Sequence, residues 1–224
     1  MKTTTSFTIV REESFNIENP EVTISTISSD VSILESTDGR CHVIISGKPM
    51  GESELAELVE ITSSGRKLSI RVDNGGRGFR GLFGAGSVRF SAVVHLPKSS
   101  ELKITAVSAD IEVNPAVKTL DIKTVSGDIT ILHNPEGACN LKTVSGDITA
   151  HTFSRCQYSL KSVSGDIKVN LAPGLEVDVD GKSISGDLES EISLSASDDS
   201  SSRTEEVVTI TTSTISGDFS LARN

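Results

Sequence analysis

Several groups in this sequence have side chains that could do chemistry. They are the serines and aspartates of a repeated tetrapeptide, four histidines, three cysteines and one glycine-rich stretch. Ser126-Gly-Asp-Ile129 recurs at Ser145-Gly-Asp-Ile148 and Ser164-Gly-Asp-Ile167, with variants Ser185-Gly-Asp-Leu188 and Ser216-Gly-Asp-Phe219. A serine could serve as a nucleophile, and paired carboxylates could hydrolyse a glycosidic bond. Repetition argues against both, because a reaction needs one distinguished site and no histidine recurs with the motif. His42, His95, His133 and His151 are scattered, without zinc-ligand spacing. Cys41, Cys139 and Cys156 are odd in number and irregularly spaced, which reads as reduced thiols of a cytosolic protein and not as a disulfide framework. Gly76-Arg-Gly-Phe-Arg-Gly81 fits the string of a dinucleotide-binding turn. That turn must follow a strand and open a helix, whereas here more glycine and another strand follow. The expectation is no catalytic residue, no cofactor and no metal.

The repeat itself dictates the elements around it. Aspartates fall at Asp110, Asp128, Asp147, Asp166, Asp187 and Asp218, separated by 18, 19, 19, 21 and 31 residues. Degenerate corners stand at Ser108-Ala-Asp-Ile111 and Ser28-Ser-Asp-Val31. Apolar residues recur in columns: one residue after each aspartate, and three, six and eight before it in most copies, alternating with polar ones as in Leu120-Asp-Ile122-Lys. Period-two alternation of β-branched residues means strands with one buried face. A period of 18–21 residues is too short for a strand–helix–strand unit of about 30 residues. It suits one coil of a β-solenoid, each coil stacking about 4.8 Å from the last. The predicted fold is therefore all-β, a parallel β-helix of 18–21 residues per coil. A right hand is expected, although an 18-residue coil also suits left-handed hexapeptide solenoids.

In such a stack Gly127, Gly146, Gly165, Gly186 and Gly217 turn the corner, and the aspartates form a ladder. Carboxylates about 5 Å apart repel by about 1 kcal/mol in water, so the ladder needs partners. Backbone N–H groups are the first candidates. A lysine column (Lys123, Lys142, Lys161, Lys182) is the second and calcium the third. Calcium is disfavoured, since acidic calcium solenoids use more carboxylates at nine-residue spacing.

The whole chain of 224 residues reads as one elongated domain. Residues 101–224 hold the regular coils. Residues 1–100 are a less regular β part with a short helix near 52–60, where Glu, Leu and Ala concentrate, and a glycine-rich loop over 74–86. In that loop Arg77, Phe79, Arg80 and Phe83 suit docking on an acidic or apolar partner surface. Ser195–Glu206 reads as a Ser/Asp-rich loop that interrupts the coil between the last two corners. The formal charge of −10 argues against a nucleic-acid-binding face. Aromatics at 4% argue against a carbohydrate enzyme. No stretch of 18 apolar residues and no leader-like segment is present, so the expected location is cytoplasmic, or the cell surface for a chain trimmed of its leader.

The repeated Thr-Val-Ser-Gly-Asp-Ile-Thr pattern, the Lys67–Val72 strand, the variable loop and the Val94-His-Leu-Pro97 step together resemble a bacterial family. That family is described as putative adhesins with β-strand repeats, a domain of unknown function related to LiaG-type stress-operon proteins. The resemblance spans most of the chain. It implies a parallel β-helix-like fold and carries over no catalytic residue. The function expected is a non-catalytic, rigid acidic scaffold that presents surfaces to a protein partner or to another copy of itself. The alternative is a cell-surface adhesin module binding glycan or protein, and after that a polysaccharide-acting enzyme.

Overall fold

The computed structural model describes residues 7–47, 58–72, 90–190 and 207–223. Among them every regular element is a strand: β1 (Thr8–Phe15), β2 (Glu21–Thr26), β3 (Ser29–Glu35), β4 (Cys41–Gly47), β5 (Val59–Ser64), β6 (Lys67–Val72), β7 (Phe90–Leu96), β8 (Glu101–Ala106), β9 (Ile111–Val113), β10 (Thr119–Lys123), β11 (Ile129–Ile131), β12 (Ala138–Lys142), β13 (Ile148–Thr152), β14 (Gln157–Lys161), β15 (Ile167–Leu171), β16 (Glu176–Ser185), β17 (Leu188–Ser190), β18 (Val207–Ser216) and β19 (Phe219–Arg223). The helix expected near 52–60 is corrected at its end, where Val59 and Glu60 open β5. Val59 is buried and Glu60 exposed, the alternation of a strand. Residues 52–57 of that stretch lie outside the described residues, as do the 74–86 loop and Ser195–Glu206.

The strands form two sheets, ordered β1-β4-β7-β3-β9-β11-β13-β15-β19-β17 and β16-β18-β14-β12-β10-β8-β2-β6-β5. Each rung of the stack gives one strand to each sheet, and rungs pair in parallel. Leu120 lies beside Leu102 and Cys139, and Ile129 beside Ile111 and Ile148. Inward side chains therefore stack in columns. Ile24, Ile104, Ile122, Leu141 and Leu160 line one sheet, and Ile33, Val113, Ile131 and Val169 the other, all fully buried in one continuous core.

Two features depart from a simple sequential stack. At the first end β5 pairs antiparallel with β6, and in the other sheet β4 pairs antiparallel with β7 and β1 antiparallel with β4. At the other end the order in space is not the order in sequence. β18 lies between β14 and β16, and β19 between β15 and β17. The 31-residue interval is thus more than an interruption: the last coil returns inside the one before it. The physical reason is visible in the side chains. The inner place must cover Tyr158 and Ile167. Ile210 and Phe219 do this, backed by Leu221, whereas the matching residues of the outer coil are Val179, Leu188 and Ser190. The more apolar coil takes the buried position and the poorer one is left outermost, with Leu188 exposed.

Candidate functional site: the corner edge

The Ser-Gly-Asp copies meet along one edge of the stack. In spatial order their aspartates are Asp30, Asp110, Asp128, Asp147, Asp166, Asp218 and Asp187. Each carboxylate accepts the backbone N–H of the next rung's aspartate through Oδ1. The distances are 3.0 Å from Asp128 to Asp110, 2.9 Å from Asp147 to Asp128, and 2.9 Å from Asp166 to Asp147. The non-sequential end continues the pattern, with Asp218 donating to Asp166 and Asp187 to Asp218, both at 2.9 Å. The serines pair as parallel bridges: Ser126 N–H donates to Val107 O at 2.8 Å, and Gly127 N–H donates the other way to Ser145 O at 3.2 Å. Backbone donors thus occupy one oxygen of each carboxylate from Asp30 to Asp218. The lysines form their own row, with Lys123, Lys142 and Lys161 in register, and Lys123 reaches Asp121 and not the ladder.

The glycines are where the rungs come closest. Gly127 and Gly146 sit at φ +114° and +149°. A Cβ on either would stand 2.1–2.2 Å from the carbonyl oxygen of the rung before, which leaves no room for a side chain. The degenerate corner shows what a side chain does there. Ala109 replaces glycine, and Asp110 N–H lies 3.5 Å from Asp30 Oδ1, the longest step of the ladder.

Strand parity sorts the flanking residues. Leu120, Ile122 and Thr124 point inward, so Val125 points out. Thr26, Thr124, Thr143, Ser162 and Thr214 form a buried hydroxyl column behind the corner. Ile27, Val107, Val125, Val144, Val163, Ile215 and Ile184 form an exposed aliphatic row in front of it. The sequence reading marked the valine positions as one of the recurring apolar columns and did not separate them from the core. Their odd offset from the buried leucine and isoleucine columns was the available signal.

A second constellation went unseen in the sequence. Ser14 and His42 are directly opposed on β1 and β4. The Ser14 hydroxyl lies 2.8 Å from His42 Nδ1, and His42 Nε2 lies 2.8 Å from Asp38 Oδ1. His42 and the Arg40 N–H hold the Asp38 carboxyl down at about 2. What stability this gives is present above about pH 4 and is lost as pH falls toward 2. Serine, imidazole and carboxylate in line resemble a hydrolytic relay. Ser14, however, stands exposed on β1, the antiparallel edge strand of its sheet. It is a cross-strand polar pair tied to the Ser36–Arg40 turn.

The thiols are all buried. Loss of hydration pushes Cys41 up to about 11 and Cys156 up to about 12, and raises Cys139 well above its ordinary value. The folded protein is therefore expected to leave an aromatic disulfide reagent unreacted at pH 8, and to release three thiol equivalents in denaturant. A fast-reacting equivalent in the native state would contradict this burial.

Arg77, Phe79, Arg80 and Phe83 lie outside the described residues. Among the described residues no group of three or more His, Cys, Asp or Glu is arranged to hold a metal ion. Among them there is no helix long and apolar enough to cross a membrane.

The family described as Toastrack DUF4097 matches the chain twice, over residues 19–134 and 101–222. The overlap falls within the parallel stack. No curated protein matches the chain. Among solved structures, one named a putative cell adhesion protein, from Clostridium sporogenes, is similar at TM-score 0.57 and 9% identity. The alignment covers 96% of this chain and 99% of that one. One named a putative adhesin, from Bacteroides fragilis, has TM-score 0.48 and 13% identity, covering 98% and 99%.

Proposed function

The chain belongs to the Toastrack DUF4097 family, and from that premise we propose that it is a non-catalytic, adhesin-like binding protein: a rigid acidic β-solenoid that presents its surface to protein partners. On this reading it is one elongated domain of right-handed coils, 18–21 residues each. The corner residues Asp110, Asp128, Asp147, Asp166, Asp187 and Asp218, with Gly127, Gly146, Gly165, Gly186 and Gly217, are structural. Arg77, Phe79, Arg80 and Phe83 offer a contact to the partner.

One observation carries this. Successive carboxylates of the edge make the same bond to the next rung, so none is set apart for a reaction. Catalysis needs groups with divergent environments, and the ladder gives its members a common one. Supporting it, the family resemblance and the fold similarity point to a surface-binding protein, and the formal charge of −10 suits a soluble rod whose copies do not aggregate indiscriminately.

The test offers the purified protein, and its Asp147→Asn variant, to a protein array, a glycan array and a panel of polysaccharides. Saturable binding to a protein, retained by the variant, is the expected result. Release of soluble sugar, abolished by the variant, would overturn the proposal in favour of an enzyme. Binding to glycans alone would favour a lectin-like module.

A further inference from the structure

The exposed aliphatic row on the corner edge is unusual for a soluble surface. Ile27, Val107, Val125, Val144, Val163 and Ile215 are 41–49% exposed, and Ile184 at the far end is 81% exposed. They follow one another rung by rung, so the row runs for about 29 Å at 4.8 Å per rung. Scattered aliphatics need no explanation, but a contiguous line of them does. The aspartate ladder runs beside it, three residues on. The strip has two unlike borders, the aspartate ladder on one side and the row of Lys123, Lys142 and Lys161 two residues before it on the other, and what complements its ladder side is an apolar stretch carrying cations.

The same chain contains such a stretch. Residues 74–89 hold Arg77, Arg80 and Arg89 with Phe79, Leu82 and Phe83, and no Asp or Glu, in a protein of net charge −10. The described residues that flank it, Val72 and Phe90, stand at the head of this edge. Val72 is in register with Thr26 and Phe90 with Ser29, so on the neighbouring rung only Ile27 and Ser28 fill the corresponding gap. The basic stretch therefore starts and ends at one end of the row, while Ile184, its most exposed member, sits at the other.

We propose that two copies of this chain associate edge to edge and antiparallel, with residues 74–86 of each lying on the Ile184–Ile215–Val163 end of the other's corner row. The head of one edge then meets the tail of its partner, and arginines face the ends of the aspartate ladder. The contact is reciprocal, so it closes at two copies. Distance favours the second copy over the first. From the rung of β6 and β7 to that of β16 and β17 is seven steps, about 34 Å. The 17 residues between Val72 and Phe90, doubled back on themselves, reach about 30 Å at full extension. A chain cannot cover its own Ile184 this way.

This goes beyond the scaffold reading, and its test uses the purified full chain alone, so either can fail without the other. Sedimentation velocity is run over a range of concentrations on the wild type, on Ile184→Lys, on Arg77→Glu with Arg80→Glu, and on a deletion of 75–85. Circular dichroism checks that each is folded. A wild-type dimer whose dissociation constant rises at least tenfold in each variant is expected. In addition, a Gly78→Cys preparation is mixed with a Ser185→Cys preparation under mild oxidation, and a 78–185 cross-link between copies should form. A wild type that stays monomeric, a dimer unaffected by the deletion or by Ile184→Lys, or a mixture that links only 78 to 78 overturns the proposal.

Discussion

Gly146→Ala should destabilise the fold by at least about 2 kcal/mol, whereas Gly174→Ala should cost less. Both glycines have positive φ, +149° and +90°. An alanine in such backbone costs about 1–3 kcal/mol wherever it stands. The difference lies in the space available. Nothing is within 4 Å of a Cβ on Gly174, but at Gly146 it would stand 2.2 Å from the Gly127 carbonyl oxygen. That atom is backbone and cannot swing aside, so the rungs must separate, and overpacking of this kind adds about 1–3 kcal/mol. Separation also stretches the Asp147 N–H to Asp128 Oδ1 bond, 2.9 Å in the native ladder. The longer step at Ala109 shows the direction of the response. For a chain of this length each kcal/mol is about 2–4 °C, so Gly146→Ala should melt at least about 4–8 °C lower. Equal melting temperatures for the two variants would mean that the corners are not in contact.

Removing residues 207–224 should cost still more, because it takes out an inner rung and not a frayed end. Val208, Ile210, Thr212, Thr214, Phe219 and Leu221 are buried there. The stranded coil β16–β17 could close the gap only by setting Val179 on Tyr158, Gly181 on Leu160, Leu188 on Ile167 and Ser190 on Val169. Comparable large-to-small changes in cores cost about 1–5 kcal/mol each. The shortened chain is therefore expected to melt at least about 8 °C lower by circular dichroism, from a loss of about 4 kcal/mol or more. A Ser190→Leu change in that background should recover part of the loss. A shortened chain as stable as the full one would place β18 and β19 at the outside.

Much of this architecture is legible from residues. Three identical tetrapeptides at a spacing of 19 announce parallel rungs, and the structure puts Ile129, Ile148 and Ile167 side by side as that spacing requires. The backbone answer to the carboxylate ladder also follows from chemistry, since a corner exposes N–H groups that strands cannot satisfy alone. Other features were harder to see. The return of the last coil inside its predecessor leaves no mark on the spacing, because a 31-residue interval fits an inserted loop as well as a changed order. Only a comparison of apolar content, Phe219 and Leu221 against Leu188 and Ser190, could have suggested it. The exposed row was legible by parity: Val125 is an odd number of residues from Leu120 and Ile122 is an even number, and alternation sends them to opposite faces. The Ser14–His42–Asp38 contact depends on an antiparallel pairing at the first end, which no short-range pattern specifies. Most of the Glu- and Leu-rich 52–60 stretch lies outside the described residues, but at Val59 and Glu60 sheet pairing with β6 prevails over helical composition.

The corner stack, with its changed order at the end, can be measured directly by paired cysteines. Ser164 is bridged to Ser216, and Ser216 pairs with Ser185, so Ser164 and Ser185 stand two rungs apart. Neighbouring rungs place Cα atoms about 4.8 Å apart, within disulfide range, whereas two rungs give about 9.6 Å, beyond it. The native cysteines are buried and should not interfere. Under mild oxidation Ser164→Cys with Ser216→Cys should form an intramolecular disulfide quantitatively and raise the melting temperature, while Ser164→Cys with Ser185→Cys should stay reduced. The reverse result, a bond between 164 and 185 and none between 164 and 216, would show the coils stacking in sequence order and would contradict the account.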